Sequence, residues 1–155
     1  MDPSSAIQAL TARTGTYAGH GITYEDEPFH AELHVDALEA EPGVTLLYRA
    51  VGIDSTVYHD ERAWIALDQE GRLALWSIHT NGAGIRIHRH RHGVPVAGAT
   101  HTFVFGVGRP LDERSYREEV AIDLWPKGDL TYRYAWGLPG GGHRPRSSVR
   151  LKPMG

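Results

Sequence analysis

A chain of 155 residues without cysteine has no disulfides, thiolate metal sites or cysteine nucleophiles, and its length fits one domain spanning 1–155. Its 16 basic and 19 acidic residues leave a formal charge of −3, so it has no general electrostatic pull towards nucleic acid or anionic membranes. The opening MDPSSAIQALTART has neither a basic segment nor a long apolar run, so no signal peptide or membrane insertion is expected and the expected compartment is the cytoplasm.

Only the first segment reads as helix. Ser4 or Ser5 can cap a short run through Ile7, Ala9 and Leu10 that stops before Gly15. From there the apolar period is two. Strands are predicted at 15–24, 30–40, 44–53, 56–68, 72–80, 84–92, 101–108, 117–125, 129–137 and 146–152. Turn chemistry separates them, at Glu41-Pro42-Gly43, Gln69-Glu70-Gly71, Asn81-Gly82, Pro126-Lys127-Gly128 and Pro139 to Gly142. About ten short strands joined by hairpins, with no crossover helix, predict an all-β fold. Its form is a closed antiparallel up-and-down barrel behind a short N-terminal helix.

Alternation assigns the inward side chains. In the fourth strand Ala63, Ile65 and Leu67 share parity with Glu61 and His59, and in the fifth Leu73 and Leu75 lead to Ser77 and His79. In the eighth Glu118 heads the row of Val120, Ile122 and Leu124; in the ninth Leu130, Tyr132, Tyr134 and Trp136 form the row. Apolar rows ending in His or Glu predict polar groups near one mouth. Tyr48, His59, Glu61, His79, Glu118, Tyr134 and Trp136 are therefore the expected ligand-binding residues, with Trp136 and His79 marking the mouth. Ten strands also enclose more space than eight, so large inward side chains should border a cavity.

Two other groups stand out. His88, His90 and His92 lie on one face of the sixth strand, alternate Cα atoms roughly 6.5–7 Å apart, a spacing at which two imidazoles can share zinc. Arginines interleave with them, so the stretch reads as a solvated basic strand end and no metal site is assigned. Arg117, Arg146 and Arg150 carry the planar fork that grips a carboxylate, but strict alternation places all three outside unless a bulge turns them.

Gly15-Thr16-Tyr17-Ala18-Gly19-His20-Gly21, His59-Asp60-Glu61, Gly71-Arg72-Leu73 with His79 and Gly82, and Asp129-Leu130-Thr131-Tyr132 together resemble the calycin group of lipocalin-like barrels. Within it the chain is most similar to the nitrobindin-like and fatty-acid-binding-protein-like barrels. The likeness spans nearly the whole chain. It implies a barrel that holds a ligand inside, and in nitrobindins that ligand is haem, bound through a histidine near the last strand. Here Arg146 stands at that position and His143 lies three residues upstream. No cofactor is assigned, and haem stays open as the alternative that the resemblance brings.

The expected function is to bind one small hydrophobic molecule as a carrier, sensor or sequestering protein. The alternative is an enzyme using the same cavity, either an isomerase or cyclase with His79 and Glu61 as acid and base, or a haem protein acting on peroxynitrite or nitric oxide. A third reading is an interaction domain whose barrel is simply a filled core. A homodimer is open.

Overall fold

The computed structural model describes residues 1–155 and opens on α1 (Pro3–Thr11), whose cap is not one of the serines. Asp2 is the N-cap. Its Oδ1 accepts from the backbone N–H groups of Ser4 and Ser5 at 3.0 and 3.1 Å, and Pro3, with no N–H to leave unpaired, sits in the first turn. Asp2 followed by Pro3 is itself a helix-start signal, and the serines stand within the first turn, nearer the apolar run but inside the helix.

Ten strands follow: β1 (Gly15–Thr23), β2 (Pro28–Ala37), β3 (Gly43–Gly52), β4 (Val57–Leu67), β5 (Leu73–His79), β6 (Arg86–Arg91), β7 (His101–Val107), β8 (Arg117–Leu124), β9 (Leu130–Gly137) and β10 (Arg144–Pro153). All ten correspond to predicted segments. The largest boundary difference is at the end of β2, expected at 40 and found at 37. Each strand pairs antiparallel with its sequence neighbours, and β1 also pairs with β10, so the sheet closes and leaves no free edge.

The seam between β1 and β10 explains the glycines of the first strand. A Cβ on Gly19 would collide with the Arg150 carbonyl oxygen, and one on Gly21 with the Phe29 ring and the Ser148 carbonyl. These are positions of close backbone approach, as a glycine inside a strand suggests. Gly71 is required for a different reason, since its φ of +73° lies in the left-handed region that the β4–β5 turn needs.

The inward rows are those that alternation assigned. Leu33, Ile65, Leu75, Phe105 and Leu151 have no exposed surface, and burying such a side chain contributes roughly 1.5–3 kcal/mol. One end is stoppered: α1 turns Ala6, Ile7 and Leu10 inward and packs against β2, β3 and β4. The other end, formed by the starts of β4, β8 and β10 and the ends of β3, β5 and β9, carries the polar residues.

Candidate functional site

The polar cluster follows from the same parity that builds the core. Tyr48, Glu61 and His79 sit opposite one another across β3, β4 and β5, and Glu118 faces Trp136 across β8 and β9. Two carboxylates organise it. Glu61 accepts from Tyr132 Oη at 2.8 Å and lies 2.7 Å from His59 Nε2. Glu118 Oε1 is 2.9 Å from both His79 Nε2 and His88 Nε2, while Oε2 accepts from Arg86 Nη1 at 2.7 Å and Tyr116 Oη at 2.5 Å.

Asn81 sets the tautomers of two of these histidines. Its side-chain amide donates to His59 Nδ1 and to the Tyr58 carbonyl, and its backbone N–H donates to His79 Nδ1. With Nδ1 accepting, each ring carries its proton on Nε2, aimed at a carboxylate. The two rings stack, with centroids 5.0 Å apart.

Burial by itself raises both carboxyl pKa values, but hydrogen bonds outweigh it. His79, His88 and Tyr116 hold Glu118 far below the usual carboxylate range, and His59 and Tyr132 hold Glu61 below it. The phenols respond in the opposite sense. Burial and then the Glu61 charge push Tyr48 and Tyr132 up, and burial followed by Glu118 does the same to Tyr134. The cluster therefore presents fixed carboxylates and proton-bearing phenols.

Above it lies a cleft of about 420 Å³ at the open mouth. Of the seven expected residues, His59, Tyr134 and Trp136 line this cleft. Tyr48, Glu61, His79 and Glu118 lie beneath it as its floor, with Tyr48 stacked on Tyr132 at 4.2 Å between ring centroids. Tyr24, Phe29, Tyr58, Asn81, Tyr116 and Arg146 also line it, with Glu25 and Glu27 at the rim. Loop and turn positions such as Asn81 and Tyr116 carry no alternation, so nothing in the strand pattern marks them, and Tyr24, expected as the last residue of the first strand, lies just beyond its end.

Three expectations need correction. Arg146 is not on the outer face, because the pairing of β10 with β9 shifts register between Pro145 and Ser147. The bulge turns Arg146 onto Trp136, with its Cζ 3.7 Å from the ring, and towards Tyr24 at 4.6 Å. Arg117 does have outward parity but is fully buried under the β9–β10 loop, donating to the carbonyls of Ser115, Leu138 and Gly141. Nor is His88 part of a solvated strand end, since it is fully buried against Glu118. His90 and His92 lie at the stoppered end of the barrel, and no group of three His, Asp or Glu side chains is placed to hold a metal ion.

Haem would need a free imidazole at the mouth. The last-strand position carries Arg146, a fixed cation already stacked on Trp136. His59, the one histidine lining the cleft, has both ring nitrogens engaged, by Glu61 and Asn81. His143 does not line this cleft but a neighbouring outer one, which shares Tyr24, Tyr134 and Arg146 with it and continues over Ala121, Arg133 and Ala135. These residues do not fit haem.

The architecture is similar to that in the crystal structure of Rv2717c from M. tuberculosis. The TM-score is 0.67 and the sequence identity 15%, over 97% of this chain and 98% of that one. The likeness is one of fold alone, and here the fold is a closed, ten-stranded antiparallel barrel. No protein-family model matches the chain, and no curated protein matches it.

Proposed function

We propose that the protein binds one small, mainly apolar molecule at the open mouth of the barrel, as a carrier, sensor or sequestering protein, and that this molecule carries an acidic group. The observation that supports it is Arg146. Its guanidinium stands in a concave aromatic cleft, and its one hydrogen bond is from Nε to the Trp136 carbonyl at 3.3 Å. It makes no ion pair, although Glu25 and Glu27 stand at the same rim, so both terminal nitrogens are free to grip an anion. A flat body against Tyr134 and Trp136 would gain contact area without long flexible side chains to order. The polar floor, with its donors committed to Glu61 and Glu118, resists a charged group entering deeper.

Two matched fluorescent probes test this: the anionic 1-anilinonaphthalene-8-sulfonate and the uncharged N-phenyl-1-naphthylamine. Both should bind and quench Trp136, the anion about tenfold more tightly, equivalent to ~1.4 kcal/mol. Arg146→Gln should erase that difference and leave the uncharged probe unaffected. If neither probe reaches a site sensitive to Trp136→Phe, the mouth is not a binding site.

One observation favours a second reading, acid–base catalysis of the isomerase or cyclase kind. His59 borders the cleft with Glu61 behind its Nε2, the arrangement that orients a proton-transferring imidazole, provided that a ligand displaces the Asn81 amide from Nδ1. Conversion of a bound ligand that is lost in His59→Gln while its affinity persists would establish it.

A further inference from the structure

The four tryptophans fall into two kinds. Trp125 and Trp136 each carry an arginine of their own chain, Arg150 at 3.9 Å and Arg146 at 3.7 Å from the ring centres. Trp64 and Trp76 carry none. They are register partners on the outer face of β4 and β5, and Thr45 and Ile87 extend their row onto β3 and β6. The neighbouring outward row runs Leu47, Arg62, Ile78.

Trp64, Leu47, Ile78 and Ile87 are each 39–47% exposed, so two adjacent rows form one apolar face on the barrel wall. Other exposed apolar side chains, such as Ile53, Val94 and Leu111, stand singly in loops. Isolated ones are ordinary, whereas a contiguous face marks a contact surface. In the middle of it Arg62 is exposed and has neither an ion pair nor a hydrogen bond.

We infer that this face joins two copies of the chain in an isologous dimer. It is complementary to itself, because one row offers two indoles and the other offers a guanidinium one alternate residue along the same strand. A two-fold axis lying across the strands, between the rows, reverses their order. Each Arg62 then meets the partner's Trp64, and each Ile78 meets the partner's Trp76. Arg62 so gains the stacking surface that Arg146 and Arg150 already have within the chain. Tryptophan and arginine at the centre, with Arg49 and Asp60 opposed in the next row as a polar rim, is the composition of a binding interface.

Sedimentation velocity of the whole chain from low micromolar to near-millimolar concentration tests this. The wild type should pass from monomer to dimer, with a blue shift in tryptophan emission that Trp64→Phe diminishes. Trp64→Glu and Arg62→Gln should each weaken the dimer by about tenfold or more. Val94→Glu, in an exposed loop, should not, and circular dichroism should stay that of the barrel in every variant. A wild type that is monomeric throughout, or a dimer indifferent to both Arg62→Gln and Trp64→Glu, overturns the inference.

Discussion

Glu118 is the residue on which most of the polar interior depends. It is fully buried and accepts four hydrogen bonds, from His79, His88, Arg86 and Tyr116. Glu118→Gln would keep the shape but remove the charge facing Arg86 and turn an amide N–H towards two donors. The expected cost is ~3 kcal/mol, read as a fall in Tm of roughly 10 °C. The charge also sets a pH dependence. Because the folded pKa lies far below the ordinary 4.5, the carboxylate contributes stability that is fully present above that pH and is lost progressively as pH falls from there towards the folded pKa. Urea midpoints measured downward from neutral pH should therefore decline more steeply below about pH 4.5 in the wild type than in Glu118→Gln. Equal slopes would show that Glu118 is not the group that titrates.

Among the elements, the β1–β10 seam is where packing tolerates least. Gly19→Ala places a methyl against the Arg150 carbonyl oxygen, which belongs to the backbone and cannot swing aside. Overpacking of this kind costs ~1–3 kcal/mol. Amide hydrogen exchange should speed up first in β1 and β10, and an unchanged pattern would mean that the seam relaxes without cost. The strands show what a sequence can and cannot disclose. Period-two alternation places Val120, Ile122 and Leu124 inward together with Glu118, and Tyr132 together with Trp136, because burial acts on every second residue of a regular strand. It fails at Arg146, where one extra residue breaks the parity. It fails at Arg117 for a different reason: outward parity means exposure only when nothing lies on top, and the β9–β10 loop does. His88 has the correct parity, but the arginines around it disguise a buried partner of Glu118 as a basic strand end.

For the molecule as a whole, resemblance and residues point in different directions on haem, and the residues decide. A titration of haemin into the protein should give no sharp, stoichiometric Soret shift. A shift that vanishes in His143→Ala would show that the loop histidine can reach the iron, contrary to its place in the outer cleft. The route by which the barrel closes has a consequence for its making. β1 and β10 are bonded neighbours, yet nearly the whole chain lies between them. β1 leaves the ribosome well before β10, so the growing sheet has bare backbone at β1 until β10 emerges. Hairpins can form in order behind it, but the step that removes the last unpaired edges must wait until β10 has left the ribosome. The strand that arrives last, β10, carries Arg144, Arg146, Arg150 and Lys152, a basic series that opposes its pairing with the same strand of another copy. Like charges there repel a second nascent copy until β1 takes the place alongside.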